Sequence, residues 1–130
     1  MNDIVFLGDN RFETKVAVSY DEQAKGLMFV PWPPPVMSFP VSKPTIKKFW
    51  MKNTVSPLDI VFCSDNTVIG IYKGEPLSTA LIGPDRPVDL VVELPAGTAA
   101  QRGIKVGDPV RLKLSSKTAS RFISERLQYG

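Results

Sequence analysis

The stretch Leu58-Asp59-Ile60-Val61-Phe62-Cys63, followed by Asp65-Asn66 and then Thr67-Val68-Ile69-Gly70-Ile71-Tyr72, decides the fold class of this chain. Both apolar runs have the length and composition of β-strands. Asp65-Asn66 lies between them and suits a tight hairpin turn. The segment therefore predicts an antiparallel pair of strands.

Further short strand patterns lie on both sides of this hairpin. Val88 to Leu94 is a continuous apolar run, and residues 110–114 alternate between apolar and basic side chains, as a half-buried strand does. Lys15 to Val18 and Lys48 to Met51 are shorter strand signals. Many short strands separated by glycine and proline predict a mainly β fold, either a compact β-sandwich or a small barrel.

Two short helical segments are expected to accompany the strands. Residues 20–28 carry acidic side chains near a helix start, and we expect that helix to end near Gly26. Thr98 to Arg102 has the pattern of a helical turn, which Gly103 can stop in a left-handed conformation. The predicted fold is thus a β core with one or two helical turns.

The tail, residues 115–130, predicts a C-terminal amphipathic helix. Ala119, Phe122, Ile123 and Leu127 fall on one helical stripe, while charged side chains point elsewhere. We therefore divide the chain into a β domain, residues 1–114, and a helical extension, residues 115–130. The apolar stripe either packs back onto the β domain or docks onto a partner, a second subunit or an anionic membrane surface.

A proline-rich segment covers residues 31–44. Proline lacks the backbone N–H that helices and central strands require. We expect a loop here that packs over the β core. The six prolines are Pro31, Pro33, Pro34, Pro35, Pro40 and Pro44.

Composition excludes several kinds of function. The 130 residues fit one domain, and 43% hydrophobic with 22% charged residues is ordinary for a globular protein. The chain has no histidine and only one cysteine, Cys63. These absences exclude the usual zinc sites and the Ser-His-Asp and Cys-His catalytic pairs. We expect no metal and no cofactor, and any catalysis would use carboxylates, lysines or hydroxyls.

The sequence contains no stretch long enough to span a bilayer as a helix. The residues from Met1 to Leu7 lack the basic flank and the long apolar run of a signal peptide. A single unpaired cysteine also agrees with a reducing compartment. We therefore expect a cytoplasmic protein.

The net charge of +3 is unevenly distributed along the chain. Residues 43–52 contain four lysines and no acid, and residues 101–130 contain seven basic residues against two acidic ones. A basic patch can attract nucleic acid or another anionic surface. No arginine-rich or aromatic-interleaved repeat accompanies these lysines, so nucleic acid is not the expected partner and the charges are interpreted as a solvated face.

Five parts of the sequence are informative together: Gly26-Leu27-Met28, Met37-Ser38-Phe39, Phe49 to Thr54 with Pro57-Leu58-Asp59, Glu93 to Gly97, and Gly103 to Val110. These separate blocks, in this order, resemble the uncharacterised family called domain of unknown function 192. The resemblance covers roughly residues 13–114 and implies a compact, mainly β fold, but no accepted substrate or catalytic residue. Two positions depart from the family pattern: Phe29 and Val30 stand where an arginine usually follows Gly-Leu-Met, and Val36 stands where a glycine usually precedes Met37.

Six residues are the candidates for ligand binding. Trp50 offers a flat surface for stacking, although a large aromatic side chain in a strand is more often part of the core. Its neighbours Lys52, Asn53 and Thr54 could converge on a polar ligand or could satisfy a turn. Asp59 and Glu93 each lie among apolar residues, where a carboxylate needs a partner. For Asp59 a structural pair with Lys52 or with backbone amides is favoured.

These residues support three functional hypotheses. The preferred one is a non-catalytic domain that binds a small ligand or a protein near Trp50. The second is a histidine-free enzyme in which Asp59 or Glu93 is the base and Lys52 the electrostatic stabiliser. A complete set of nucleophile, base and oxyanion donors is not visible, which disfavours catalysis. The third is a structural or assembly component, viral or accessory, that forms oligomers through its C-terminal helix.

Overall fold

The structure, a computed structural model, describes residues 1–129, with side-chain surroundings through residue 125. It is mainly β, as predicted, with 39% strand and 16% helix. The elements in chain order are β1 (Ile4–Leu7), β2 (Asn10–Glu13), β3 (Lys15–Val16), α1 (Tyr20–Lys25), β4 (Met37–Thr45), β5 (Leu58–Ser64), β6 (Thr67–Gly74), β7 (Val88–Pro95), α2 (Thr98–Gln101), β8 (Val110–Lys113) and α3 (Ser116–Tyr129).

The strands form two sheets rather than a closed barrel within the described residues. The smaller sheet has the order β2-β1-β8, and the larger has the order β3-β4-β7-β5-β6. Side chains from both sheets, among them Val5, Leu7, Val61 and Val92, form one buried core between the layers. The sandwich alternative of the sequence prediction is therefore the one observed.

The larger sheet is also covered on its outer face. A second buried core there joins Phe39, Ile60 and Val91 of the sheet to Leu27 and Met51 from the segments that cross it. Because apolar partners lie on both faces, the central strands β5 and β7 are buried almost throughout instead of alternating. This burial explains the continuous apolar runs in their sequences.

The predicted hairpin is confirmed. β5 and β6 pair antiparallel, and the turn residues Asp65 and Asn66 have φ angles of 52° and 59°. Two successive positive φ angles are those of a type I′ turn, which asparagine and aspartate tolerate better than most residues. Local turn chemistry therefore sets the start of this pair.

The prediction of a loop throughout residues 31–44 was wrong. β4 occupies Met37–Thr45 and pairs antiparallel with β7. On its other side β4 is paired only through Met37 and Ser38, which contact β3. A proline is tolerated in a strand where its nitrogen faces an open edge, so Pro40 does not prevent pairing with Leu90.

The predicted strand at Lys48 to Met51 was also wrong. The segment forms a single bridge, between Phe49 and Ile82, because the chain it meets is an irregular loop rather than a strand. Backbone bonds from Met51 N–H to the Ser78 carbonyl and from Phe49 N–H to the Ile82 carbonyl fix it across the outer face of the larger sheet.

The N-terminal hairpin of β1 and β2 was not predicted. Each strand has only four residues, and β2 is largely polar, which leaves a weak strand pattern. β1 is nevertheless the central strand of its sheet, between β2 and β8. Pairing with β8, more than a hundred residues later, stabilises a strand that its own sequence barely indicates.

The helices agree with their predicted positions. Ser19 and Glu22 form a reciprocal capping box at the start of α1, and Gly26 follows its last turn. In α3, Ala119 and Phe122 are half-buried, whereas Ile123 is 56% exposed and does not belong to a buried stripe. The fourth stripe residue, Leu127, lies outside the described side chains. No helix among residues 1–129 is both long and apolar enough to cross a membrane.

Candidate functional site

Glu93 is a carboxylic acid in the middle of the larger sheet. It lies on β7, with Met37 of β4 and Ile60 of β5 directly opposite in the register. Directly opposed residues point to the same face, so Glu93 shares the outer face with these two apolar side chains. Only 4% of Glu93 is exposed.

The Glu93 carboxyl has no ion pair and no side-chain hydrogen bond with a described residue, and burial alone raises its pKa to about 8. In the described part of the chain, every fully buried side-chain oxygen has a hydrogen-bond partner. The Glu93 oxygens have none, so they are not fully buried and contact water. At neutral pH the carboxyl is therefore predominantly protonated. It can both donate and accept a hydrogen bond.

Glu93 lines a pocket of about 240 Å³. Three parts of the chain surround the pocket: α1 and the residues after it, β4, and residues 47–50, which cross the outer face of the larger sheet. Its lining includes aromatic, basic and small side chains but no acid other than Glu93. The lining residues are Tyr20, Gln23, Ala24, Lys25, Gly26, Leu27, Met28, Phe39, Lys47, Lys48, Phe49, Trp50, Thr54 and Glu93.

The end of α1 forms one wall of the pocket. The Gln23 side chain donates to the carbonyls of Ala17 and Pro40 at 3.1 and 2.9 Å, which holds the helix against β4. The helix then ends at Gly26, whose φ of 50° favours glycine. Without a side chain at this position, the backbone can approach the carboxyl of Glu93.

Aromatic side chains support the opposite wall. Phe49 packs edge-to-face between Phe39, at 5.1 Å, and Phe62, at 5.8 Å between ring centroids. Edge-to-face contacts of this kind favour fixed ring orientations. Phe49 thus links the pocket wall to the buried core of the sheet.

Three lysines contribute positive charge to the pocket. Lys48 is already engaged, because its ammonium donates to the Gly83 carbonyl and forms an ion pair of 2.7 Å with Asp85. Lys25 and Lys47 have no ion-pair partner among the described residues. The uncompensated charge of the lining at neutral pH is therefore positive.

Three of the six predicted site residues line this pocket. Glu93 and the buried Thr54 do so, together with Trp50, which is 44% exposed and thus is not a core side chain. Lys52 and Asn53 do not line it. The ammonium of Lys52 lies 5.2 Å from the Trp50 ring centroid, and Asn53 occupies a turn with φ of 57°.

Asp59 lies on the other face of the sheet. Its register partner is Leu94, which belongs to the core between the layers, whereas Glu93 faces outward. The Asp59 carboxylate accepts a hydrogen bond of 2.9 Å from the backbone N–H of Ala99 in the first turn of α2. The structure therefore does not bring Asp59 together with Glu93 or with Lys52, and the contact with a backbone amide is the structural alternative anticipated from sequence.

Sequence reasoning missed the α1 side of the pocket. Tyr20, Gln23 and Lys25 are separated from Glu93 by about seventy residues, and no local pattern connects them. The block Gly26-Leu27-Met28 was an available signal, since all three residues line the pocket. Lys47 and Lys48 were recognised only as part of a basic segment.

The family relationship agrees with this arrangement. The family model DUF192, described as uncharacterized ACR, matches residues 4–112, which includes the larger sheet, the pocket and all but the last residue of the smaller sheet. The chain belongs to the DUF192 family. The match begins earlier than the predicted extent of residues 13–114 and ends before α3. No curated protein is similar enough in sequence to match the chain.

Two solved structures share the DUF192 fold of this chain. A protein of unknown function from Novosphingobium aromaticivorans DSM 12444 is 36% identical, with a TM-score of 0.75 and coverage of 85% of this chain and 84% of the other. A protein from Sinorhizobium meliloti 1021, described as a candidate transcription regulator, is 29% identical, with a TM-score of 0.77 and coverage of 85% and 92%.

Proposed function

We propose that this DUF192 protein is a non-catalytic domain that binds a small molecule in the pocket above Glu93. The observation that carries the proposal is a carboxyl group that is 4% exposed, has no partner among the described residues, and faces a cavity. The protein leaves the hydrogen-bonding capacity of this carboxyl unused. A ligand group that bonds to Glu93 can use that capacity.

The size of the cavity favours a small ligand. Its volume of about 240 Å³ lies below the range of about 300 to 1,000 Å³ that is common for sites of drug-sized molecules. Aromatic walls with a few placed polar groups are typical of such sites. The site therefore suits a compact polar molecule rather than a peptide.

A histidine-free enzyme is the second candidate. A carboxyl group with a pKa of about 8 is suited to proton transfer near neutral pH. The pocket lining contains no second carboxylate, and the Thr54 hydroxyl donates to the Lys52 carbonyl at 3.3 Å instead of to a base. These contacts favour binding over catalysis.

Nucleic-acid binding is a further alternative, because the Sinorhizobium relative is described as a candidate transcription regulator. We expect weak or no association, since no arginine-rich or aromatic-interleaved repeat accompanies the lysines of residues 43–52, and one of them, Lys48, already pairs with Asp85. Fluorescence anisotropy with labelled duplex and single-stranded DNA at physiological salt measures this directly. Tight association that weakens steeply with added salt would favour a nucleic-acid partner instead.

The cytoplasmic location is part of the same proposal. Cys63 is the one cysteine of the chain, is buried and unpaired, and burial together with the nearby Asp89 raises its pKa to about 12. A thiol in this state is a packing group and does not require an oxidising compartment.

Ligand-observed NMR with a library of small polar compounds tests the proposed function. We expect Glu93→Leu to abolish binding of the compounds found, because the only acid of the pocket is removed, while the variant stays folded. Trp50→Ala should weaken binding, and Trp32→Ala is its matched control, since Trp32 is 55% exposed and does not line the pocket. The proposal fails if no compound binds, or if Glu93→Leu binds as well as the parent protein.

A further inference from the structure

We infer that the ligand of this pocket is a small polyhydroxylated carboxylate, whose anionic group pairs with Lys25 and Lys47 and whose hydroxyl groups bond to Glu93. This inference rests on the proposed function and names its ligand class. It combines three features of the site: the charge of the lining, the hydrogen-bonding capacity of the floor, and the shape of the walls.

The charge of the lining selects an anion. Lys25, Lys47 and Lys48 line the pocket, and only Lys48 has an acidic partner, Asp85. Lys25 and Lys47 have no ion-pair partner among the described residues, so an anion in the pocket offsets part of a positive charge that the protein leaves uncompensated. An ammonium ligand would have to enter among three cations and would also require ionised Glu93 in a buried position.

The floor of the pocket selects a hydroxyl group. A protonated carboxyl group donates one hydrogen bond and accepts others, and a hydroxyl group has the same dual capacity. Glu93 has no partner of its own in the described residues, so its full capacity is available to a ligand. A ligand carboxylate at the floor would use only the donor and would be buried without a cation.

The walls select a compact molecule with a flat, weakly polar face. Trp50 and Phe49 line one side of the cavity, and Tyr20 lies at the α1 side. Aromatic rings pack well against the C–H groups of a ring-shaped polyol, which leaves its hydroxyl groups free at the edges. A sugar acid of one ring combines this face with hydroxyl groups and a carboxylate.

The charged groups around Glu93 predict how binding depends on pH. α1 contributes Lys25 and the phenol of Tyr20, and the crossing segment contributes Lys47 and Lys48. β4 and β5 contribute the apolar side chains Phe39, Met37 and Ile60. Loss of the Glu93 proton places a negative charge beside the ligand, so affinity falls as the pH rises past about 8.

Three probes that share one ring test the ligand class by isothermal titration calorimetry: D-glucuronate, D-glucose and D-glucosamine. They differ in charge, being anionic, neutral and cationic. We expect glucuronate to bind about tenfold tighter than glucose, and glucosamine to bind most weakly. In the double variant that carries both Lys25→Gln and Lys47→Gln, the preference for glucuronate over glucose should decrease to about threefold or less.

Glu93→Gln provides the second arm, because glutamine keeps a neutral donor and acceptor. Glucuronate should bind this variant to within about threefold of the parent at about pH 6, without the fall in affinity above about pH 8. The ligand class is wrong if glucosamine binds best, or if library compounds bind in the pocket while none of the three sugars does. Both outcomes leave the proposed binding function standing, whereas a library without any bound compound removes that function itself.

Discussion

The backbone of Gly26 lies against the carboxyl of Glu93: a β-carbon at position 26 would be 3.9 Å from Glu93 Oε1 and 3.4 Å from Cζ of Phe39. A β-carbon here would thus fill space beside the floor of the pocket, and the φ of 50° is the feature that requires glycine. This relationship joins the block Gly26-Leu27-Met28 to the most buried acid of the chain.

Gly26→Ala should narrow the pocket. The φ of 50° strains any residue with a β-carbon, so we expect a loss of stability of about 1 to 2 kcal/mol in urea unfolding, together with weaker ligand binding. Gly97→Ala is the matched control, since Gly97 has φ of 91° but no atom within 4 Å of its added β-carbon. Equal effects of both variants on binding would contradict a role for Gly26 in shaping the site.

Glu93 should make the stability of the protein fall as pH rises. Its pKa is about 8 when folded and 4.5 as the ordinary value, so between these pH values the folded state holds a proton that the unfolded state has lost. The free energy of unfolding should therefore decrease by up to about 1.4 kcal/mol per pH unit in that range. The contribution of Glu93 protonation to the free energy of unfolding is fully present below about pH 4.5 and is lost above about pH 8.

Chemical unfolding of the parent protein and of Glu93→Gln, measured at several pH values in this range, tests the prediction. Comparison of the two proteins gives the part of the slope of unfolding free energy against pH that is due to this carboxyl. The difference in unfolding free energy between the two proteins should grow with pH in favour of the glutamine variant. A constant difference would mean that Glu93 is ionised in the folded protein and has a partner.

Asp59 should matter for stability and not for the pocket. Asp59→Ala removes the acceptor of the Ala99 N–H bond and leaves a buried donor without a partner, which costs about 1 to 3 kcal/mol. Asp59→Asn keeps an acceptor oxygen and should lose less stability than Asp59→Ala. Ligand affinity should be unchanged in both variants, because Asp59 lies on the other face of the sheet. A lower affinity in a variant that is as fully folded as the parent protein would show that Asp59 contributes to the site.

Deletion after Ser115 should leave the β domain folded. Through residue 125, polar contacts attach α3 and the residue before it: Asp3 accepts from Ser115 N–H and from the Thr118 hydroxyl at 2.7 and 2.8 Å, and Arg121 pairs with Glu22 at 2.7 Å. An exposed ion pair of this type contributes about 0 to 1 kcal/mol. We expect a cooperative unfolding transition with a small decrease in stability.

Light scattering on the same truncated chain reports its association state. A change relative to the full chain would show that α3 is an interface between copies. Loss of the cooperative transition would instead show that α3 belongs to the core, and the division at residue 115 would then be wrong.

An element of this fold could be predicted from sequence when neighbouring residues determine it, and could not when distant parts of the chain do. The β5–β6 hairpin could be predicted because Asp65 and Asn66 themselves favour the turn that begins it. β4 could not, since the tolerance for Pro40 depends on an open sheet edge, and edge position is set by strands far along the chain.

The same distinction applies to the site. Glu93 was identifiable because a carboxyl group among apolar residues is unusual wherever the strand lies. Lys52 was adjacent in sequence to Trp50 yet does not line the pocket, while Lys25 from α1 does. Side-chain direction in the crossing segment and the placement of α1 are tertiary properties, and they decide which lysines face the acid.

The position of β7 between β4 and β5 divides the pocket into a stiff part and an adaptable part. Glu93 is held in a backbone ladder bonded on both sides, so the floor is preorganised and its geometry is nearly the same before and after a ligand enters. The walls come from a six-residue helix and from a segment with a single bridge, which open at lower free energy than a central strand. For the proposed ligand, entry and release would therefore be movements of the walls that carry Lys25 and Lys47, while the Glu93 carboxyl stays in place.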